Sequence, residues 1–243
     1  MYDQNLAGVY DLIYGVAVSK DYVAEAGELA ELIRSRRPEA SSLLDVACGT
    51  GQHLLHLRDL FEHVEGVELS ADMRAIAAER LGPQTPVHAG DMRTFDVGRK
   101  FDAITCLFSS IGYVQSVEEL RATLRRFAAH LEPGGVLVLE PWFAPDAWRP
   151  GTVHDGVAEA PDGRVVMRLS YSDVTPEGKS LTTMHYLYGE PGVGVRHWSD
   201  EHVMSLFTDD EYGDAFTAAG FRPLQLVTGW RVDRHRLVAT LGG

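Results

Sequence analysis

The sequence predicts an α/β fold with a doubly wound, mostly parallel sheet and an antiparallel β insertion. Strands and helices alternate between residues 42 and 140, a pattern typical of a parallel sheet with helices on both faces. The first predicted strand ends in a turn of small residues in which Gly49 and Gly51 permit a sharp bend and a close ligand. Residues 153–207 instead alternate apolar and polar side chains and contain no convincing helix, which favours antiparallel strands.

The elements before residue 152 follow from their apolar periodicity and from their start and stop signals. Two helices are predicted first, at residues 2–14 and 19–36, and Pro38 ends the second. Strands are then predicted at 42–46, 64–69, 87–89, 101–108 and 136–140, with helices at 52–61, 71–81 and 117–131 between them. Strand alternating with helix in this way predicts one continuous parallel sheet.

The pattern changes beyond residue 152. Antiparallel strands are predicted at 164–174, 180–190 and 202–207. A helix is then predicted from the capping box Thr208-Asp209-Asp210-Glu211 to Ala219, with Gly220 as its C-cap, and strands follow at 221–227 and 236–241. We therefore expect three parts. They are an N-terminal helical cap at 1–40, an α/β core at 41–152 and 208–243, and an antiparallel β insertion at 153–207.

Composition limits the functional class of the chain. Its 243 residues carry a formal net charge of −13, so a general nucleic-acid partner is not expected. No apolar run approaches the roughly 20 residues that span a bilayer, and the first residues lack the basic and apolar regions of a signal peptide. Cys48 and Cys106 fall at buried strand ends. We expect a cytoplasmic protein with no membrane partner and unpaired thiols.

The glycine turn differs from the dinucleotide fingerprint G-x-G-x-x-G. Leu54 stands where the third glycine would be, and Asp45 lies at the end of the first strand. S-adenosylmethionine has no pyrophosphate that would need such a loop, and its positive amino group favours a nearby carboxylate. A structural glycine turn with a helix-capping acid is the alternative for this segment alone.

Further acidic and apolar residues follow the next three strands. Glu68, 17 residues after Gly51, can accept both ribose hydroxyls of a nucleoside. Asp91 can accept from an adenine amino group while Met92 packs on its ring, and Phe108 can cover the other side. Each could singly be a solvated or structural strand end. Their joint order at carboxyl ends of strands predicts an adenosylmethionine site.

Several motifs resemble those of class I methyltransferases. They are residues 43–51, Glu68-Leu69-Ser70-Ala71-Asp72-Met73, Gly90-Asp91-Met92 and Leu131-Glu132-Pro133-Gly134-Gly135. Further segments are similar to the N-methyltransferases that act on thymidine diphosphate (TDP)-linked deoxy amino sugars of the desosamine and mycaminose type. These are Val9-Tyr10-Asp11-Leu12, Lys20-Asp21-Tyr22, Phe108-Ser109-Ser110-Ile111-Gly112-Tyr113, Glu140-Pro141-Trp142 and Phe216-Thr217-Ala218-Ala219-Gly220.

This resemblance implies a role for each matching position. It places Tyr22, Ala47, Gly49, Thr50, Gly51 and Leu69 in the cofactor site beside Asp45, Glu68, Asp91, Met92 and Phe108. It puts Tyr2 and Tyr113 beside the sugar amine, as the candidate catalytic residues, and it implies that the antiparallel layer roofs the substrate and pairs two subunits. We therefore expect a homodimer whose small-molecule substrate is a TDP-linked amino sugar.

The remaining candidates concern the sugar nucleotide. Trp142 follows the fifth strand and is a candidate wall of the sugar pocket, with packing under the insertion as the alternative. Arg231 and Arg234 lie in the densest basic cluster and suit two phosphates, with solvated surface charge as the alternative. Tyr10, Tyr14, His53 and His56 are interpreted as structural or exposed.

The chemistry expected from these residues is methyl transfer to nitrogen. A neutral amine is already a nucleophile, so alignment of the reacting atoms is the main requirement, and no residues show metal-ligand spacing. Small-molecule O-methylation remains the alternative, although it needs a base that the sequence does not place. A regulatory cofactor-binding protein and an NAD-linked oxidoreductase are two further possibilities.

Overall fold

The computed structural model describes residues 9–17, 20–228 and 235–242. Its central sheet contains β1 (Ser42–Val46), β2 (His63–Glu68), β3 (Val87–Ala89), β4 (Phe101–Cys106), β5 (Leu131–Leu139), β10 (Phe221–Thr228) and β11 (His235–Leu241). The strand order is β10-β11-β5-β4-β1-β2-β3. The first five strands run parallel, while β11 is antiparallel to both β5 and β10. The predicted α/β fold with a mostly parallel sheet is confirmed.

Among the described residues, five α-helices accompany this sheet. They are α1 (Tyr22–Arg34), α2 (Gln52–Leu57), α3 (Ala71–Leu81), α4 (Val117–Ala129) and α5 (Asp209–Ala218). Four of them begin at a side chain that accepts from the first turn, namely Asp21, Ser70, Ser116 and Thr208. The capping box at Thr208 and Glu211 is confirmed. The helix predicted at 52–61 ends at Leu57. Residues 58–60 form a turn instead, and Phe61 after this turn is buried.

The helices cover both faces of the sheet. On β5, Leu137 and Leu139 pack in one apolar cluster with α4 and α5, whereas Val136 and Val138 pack in the other with α1, α2 and α3. Successive side chains of a strand point to opposite faces, so one strand contributes to two cores. Within the described residues, no helix combines the length and apolar character needed to cross a bilayer.

A second, four-stranded antiparallel sheet contains β6 (Val153–Glu159), β7 (Val165–Val174), β8 (Ser180–Glu190) and β9 (Gly194–Met204), in that order. The strands predicted at 164–174 and 180–190 are confirmed. The sequence did not predict β6 and placed the start of β9 too late. Both are outer strands of this sheet with many exposed polar residues, so neither has the apolar alternation that marks a half-buried strand.

Residues 9–17, which we call the N-terminal segment, lie against one face of this second sheet. We call the second sheet the roof sheet. Val9 and Ile13 pack with Val166, Tyr186 and Tyr188. A π-helical turn follows at Ile13–Ala17. Asp11, on the same segment, accepts from the Thr50 hydroxyl at 2.6 Å and pairs with Arg80. The roof sheet and the β1–α2 turn are thereby joined through the N-terminal segment.

Candidate functional site

A cavity of about 310 Å³ lies at the carboxyl ends of β1 to β4. The loops after these strands, the N-terminal segment and the roof sheet all contribute to its wall. The predicted cofactor residues on its lining are Tyr22, Asp45, Ala47, Gly49, Thr50, Glu68, Leu69, Asp91, Met92 and Phe108. The sequence therefore brings to one cavity residues that are up to 86 positions apart, from Tyr22 to Phe108.

Gly51 is the predicted cofactor residue that does not line the cavity. Its φ is +76°, and a Cβ there would lie 2.9 Å from Leu81 Cδ1. It directly precedes α2 and packs on the last residue of α3. Its part is therefore to let the turn bend and to let α3 approach, rather than to face the ligand.

Glu68 holds the glycine turn in place. Its Oε2 accepts from Gly49 N at 2.9 Å, and its Oε1 accepts from Ser70 N at 2.7 Å. Burial raises the pKa of Glu68 above its ordinary value, against the effect of these backbone N–H groups. Each carboxylate oxygen can accept more than one hydrogen bond. The side chain can thus hold the turn and still receive ribose hydroxyls.

Asp45 is a buried acid at the floor of the cavity. Its Oδ1 accepts from the Thr105 hydroxyl at 2.7 Å, and the residue is 2% exposed. Burial raises the pKa of Asp45 to about 6, and the nearby Glu68 adds to this, while His53 opposes it. A buried carboxyl with a raised pKa gains from a cationic ligand. The amino group of adenosylmethionine fits this requirement.

Asp91 pairs with Arg93, an arginine two residues later in the chain. Its two carboxylate oxygens accept from Arg93, at 2.9 Å to Nε and 2.5 Å to Nη2. This hydrogen bonding lowers the pKa of Asp91. Arg93 also lines the cavity and pairs with Glu119 at 3.0 Å. The carboxylate is consequently oriented by an arginine that the sequence analysis did not consider.

Phe108 is held in a strained conformation at the cavity wall. Its φ is 56°, and that of Ser109 is 61°, a left-handed region that costs such residues roughly 1 kcal/mol or more each. Phe108 N donates to Glu140 Oε2 at 2.7 Å, and the Ser109 hydroxyl donates to Pro141 O at 2.9 Å. The edge of Tyr14 packs on the Phe108 ring at 4.8 Å between centroids.

Glu140 belongs to a buried charge network that ends at the cavity. Arg236 donates to Glu140 at 3.3 Å and to Glu25 at 3.1 Å. Glu25 also binds Lys20 at 2.7 Å and His53 at 2.9 Å. Burial would raise the pKa of Glu25, but His53 and Lys20 outweigh it and lower that pKa to about 2. His53, expected to be structural or exposed, is buried and lines the cavity.

Some predicted substrate residues cannot be placed. Tyr2, Arg231 and Arg234 lie outside the described residues. Arg236, from the same basic cluster, is 2% exposed and paired with carboxylates. It is therefore part of the protein interior, not a candidate for phosphate binding.

Trp142 is not among the described residues that line the cavity. Its indole N–H donates to Ser180 Oγ at 2.8 Å, and its ring packs against Phe143 and Trp148. These contacts join the end of β5 to the roof sheet. They match the packing alternative considered from the sequence.

The end of the cavity below the roof sheet is lined by Tyr10, Tyr113 and His202. The Tyr113 hydroxyl lies 2.6 Å from His202 Nδ1. Burial lowers the pKa of His202 to about 4, and Arg168 contributes to this. The sequence predicts Tyr113 as a site residue, but it predicts neither Tyr10 nor His202 there. The polar residue before Val203 in a predicted strand was the signal for His202, but its partner is 89 positions away.

No group of three or more histidine, cysteine, aspartate or glutamate side chains suited to a metal ion occurs in the part of the chain that the structure describes. The polar side chains of the cavity are carboxylates, hydroxyls, the Gln52 amide, the Cys48 thiol, Arg93 and two histidines. This donor set fits a nucleoside with a cationic amino acid end. Asp45, Glu68 and Asp91 are the acids that would hold adenosylmethionine.

Sequence comparisons relate the chain to methyltransferases. A family profile described as a methyltransferase domain matches residues 21–226. The dTDP-3-amino-3,4,6-trideoxy-alpha-D-glucopyranose N,N-dimethyltransferase of Streptomyces venezuelae is 51% identical over 222 residues, covering 91% of this chain and 92% of the relative. The dTDP-4-amino-2,3,4,6-tetradeoxy-D-glucose N,N-dimethyltransferase of Saccharopolyspora spinosa is 47% identical over 223 residues, covering 91% and 87%.

Solved structures give the same result. Streptomyces venezuelae DesVI matches with a TM-score of 0.92 at 46% identity, covering 100% of both chains. CalS10, an amino pentose methyltransferase from Micromonospora echinaspora solved with adenosylmethionine bound, matches with a TM-score of 0.84 at 41% identity, covering 99% of this chain and 98% of CalS10. The chain therefore belongs to the family of S-adenosylmethionine-dependent methyltransferases, in which its high-identity relatives are N,N-dimethyltransferases of dTDP-linked amino sugars.

Proposed function

We propose that this enzyme transfers methyl groups from S-adenosylmethionine to the amine of a dTDP-linked deoxy amino sugar, in the biosynthesis of antibiotic sugars. One observation supports this most directly. A single cavity is lined both by buried acids suited to adenosylmethionine and by the Tyr113–His202 pair, whose histidine belongs to the roof sheet. The sugar amine would enter between them.

The residues of the cavity act mainly by binding and aligning. Bound adenosylmethionine supplies a methyl group on a positively charged sulfur. The rings of Tyr10, Tyr22 and Phe108 line the cavity and can attract such a cation through their faces. Asp45 and Glu68 hold the amino and ribose groups. Holding two reactants in line removes much of the entropic cost of a bimolecular step.

O-methylation is the second candidate, because His202 places a histidine on the cavity that the sequence analysis had not found there. A hydroxyl must lose its proton during methylation, which requires an efficient base. Burial lowers the pKa of His202 to about 4, so this imidazole is a weak proton acceptor at neutral pH. Transfer to an amine, which needs no such base, is therefore favoured.

The test is an incubation with adenosylmethionine and a panel of TDP-linked 3-amino and 4-amino sugars, with the matching hydroxy sugars as controls. Mass spectrometry would detect the gain of one or two methyl groups. We expect gains only with amines. Methylation of the hydroxy sugars and not of the amines would contradict the proposal.

Cofactor binding is tested separately with the double variant Glu68→Ala/Asp91→Ala. Hydrogen bonds to charged groups contribute about 1.5–3 kcal/mol each, so we expect adenosylmethionine affinity to fall at least tenfold. Glu177→Ala, an exposed residue of the turn after β7, is the control. An unchanged dissociation constant in the double variant would refute this cofactor site.

We further propose that the enzyme is a homodimer joined through the outer face of the roof sheet. Val157, Met167 and Leu187 form one cross-strand row there and are 46–53% exposed, and Leu169 in the next row is 52% exposed. Adjacent exposed apolar side chains of this extent are typical of association surfaces. A second copy of the chain would cover this face.

Light scattering after size exclusion tests the dimer. We expect a dimer mass at micromolar concentration, and a monomer mass for Met167→Lys/Leu187→Lys. Val23→Lys, at an exposed apolar position on α1, is the control. A monomer mass for the unchanged protein would contradict the proposal.

A cytoplasmic location is the remaining proposal. Cys48 and Cys106 are both buried and unpaired. Free buried thiols suit a reducing compartment. Fractionation of cells that express the protein would test this.

A further inference from the structure

We propose that His202 is a positioning residue for methyl transfer, which fixes the Tyr113 hydroxyl as a hydrogen-bond acceptor toward the substrate amine. This inference rests on the proposed function. It concerns how the amine is oriented, and it adds to the active site a residue from the roof sheet, separated from Tyr113 by 89 positions.

The two side chains are held together by the fold. His202 is on β9 and is 7% exposed, and Tyr113 ends the short 3-10 turn Ser110–Tyr113. Two hydrogen bonds join the segments around the pair: Ser205 N donates to Gly112 O at 2.8 Å, and the side-chain amide of Gln115 donates through Nε2 to Val203 O at 3.3 Å. The 2.6 Å contact from Tyr113 Oη to His202 Nδ1 is therefore a fixed feature.

The close fit at Gly112 supports this. A Cβ on Gly112 would lie 2.7 Å from Met204 Cε and 3.0 Å from Trp142 Cβ. A side chain at Gly112 would therefore require the Met204 methyl group to move and would crowd Trp142 Cβ, so the turn that carries Tyr113 packs closely on the end of β9. The roof sheet is seated directly on the Tyr113 turn, next to His202.

The direction of the hydrogen bond depends on the charge and on the tautomer of His202, and we assign the tautomer that carries its proton on Nε2. Burial and the positive charge of Arg168 keep the imidazole neutral, and a neutral imidazole offers one nitrogen as an acceptor. With Nδ1 as that acceptor, the Tyr113 hydroxyl proton points to His202. Tyr113 Oη then presents lone pairs to the cavity and cannot donate to the amine.

This direction suits methyl transfer to nitrogen. An amine attacks through its single lone pair, and a hydrogen bond donated to that lone pair would block the attack. An acceptor at Tyr113 instead takes an N–H of the amine and leaves its lone pair directed to the methyl group. No proton is transferred in this arrangement, so His202 acts through Tyr113 and not as a base.

The experiment compares steady-state kinetics of four variants with the unchanged enzyme: Tyr113→Phe, His202→Leu, His202→Asn and Tyr113→Phe/His202→Leu. Asparagine places its Oδ1 where His202 has Nδ1, so it retains an acceptor for Tyr113. His154→Leu, an exposed histidine on β6 of the same sheet, is the matched control. The affinity for adenosylmethionine and the melting temperature are measured for each variant.

We expect His202→Leu to lower kcat about tenfold, as expected for the loss of one orienting hydrogen bond, with KM for the sugar and adenosylmethionine affinity within about twofold. His202→Asn should restore most of kcat. The double variant should be no slower than Tyr113→Phe alone, because both changes remove the same interaction.

Three results would overturn the proposal: an unchanged kcat in His202→Leu, no recovery in His202→Asn, or multiplied losses in the double variant. If His202→Leu does not fold, His202→Gln replaces it. The amide atoms of glutamine lie one bond beyond the position of His202 Nδ1, so the same fall in kcat is expected. If the unchanged enzyme methylates no amino sugar, the proposed function itself fails, which is a separate outcome.

Discussion

Replacing Arg236 with methionine removes the guanidinium that joins β11 to α1 and to the end of β5. The arginine is 2% exposed and donates to Glu25, Glu28 and Glu140 at 3.1 to 3.3 Å. Methionine fills a similar volume without charge, so the change leaves three carboxylates with one cation fewer. Breaking a buried ion pair by removing one partner costs about 3–5 kcal/mol.

The surroundings place the expected loss at the lower end of this range. The Glu28 side chain is 57% exposed, so water can solvate its carboxylate. Glu25 keeps Lys20 at 2.7 Å and His53 at 2.9 Å. The charge left without its cation is mainly Glu140, whose side chain is 4% exposed. We expect a loss of about 3 kcal/mol, or about 6–12 °C in melting temperature for a domain of this size.

Urea unfolding followed by circular dichroism, together with thermal melts, measures this loss. Arg164→Met is the matched control: its partner Asp162 and Arg164 itself are 55% and 41% exposed, and such pairs contribute at most about 1 kcal/mol. Arg236→Met/Glu140→Gln should recover at least half of the loss, because glutamine retains an oxygen for Phe108 N without the charge. A loss below about 1 kcal/mol, or no recovery in the double variant, would refute the reasoning.

Two further predictions concern the cavity. Burial raises the pKa of Asp45 from its ordinary value of 3.8 to about 6. The contribution of this group to folding stability is therefore fully present below pH 3.8 and is lost as the pH rises through 6. A cationic ligand favours the ionised form, so calorimetry should show adenosylmethionine affinity falling about tenfold from neutral pH to about pH 5; an equal fall in Asp45→Asn would contradict this. Gly112→Ala should destabilise by roughly 1–3 kcal/mol through overpacking and slow turnover more than it weakens cofactor binding. Gly213→Ala, in open space within α5, should instead stabilise slightly by up to about 1 kcal/mol. Equal melting temperatures for the two alanine variants would argue against a tight fit at Gly112.

The acids that we propose as cofactor ligands could be predicted to lie at one edge of the sheet because their signals are local. Asp45, Glu68 and Asp91 each follow a predicted strand, and the carboxyl ends of parallel strands meet at one edge of the sheet. The helix starts at Ser70 and Thr208 were predicted for the same reason, since a capping side chain and the backbone N–H groups that donate to it lie within three residues. None of these features requires knowledge of which strands are neighbours.

The residues of the proposed substrate end of the cavity could not be predicted, because they are brought together by contacts between distant parts of the chain. His202 meets Tyr113 only because β9 pairs with β8 in one register and the roof sheet packs on the turn at Gly112. Arg236 meets Glu25 across 211 positions. Neither residue is distinguished by its neighbours in sequence: one is a histidine in a polar outer strand, and the other is an arginine in a basic cluster. A pattern within one window cannot contain such pairs.

The positions where local preference fails lie at the cavity. Ala47, Phe108 and Ser109 are the described non-glycine residues with positive φ, and Ala47 and Phe108 both line the cavity. A backbone in this region persists only where its surroundings stabilise it. Glu140 supplies that stabilisation to Phe108, and Arg236 holds Glu140. The loss of stability expected on changing Arg236 and the shape of the cofactor cavity therefore have one physical cause. This is why Arg236→Met should weaken adenosylmethionine binding even though Arg236 does not line the cavity.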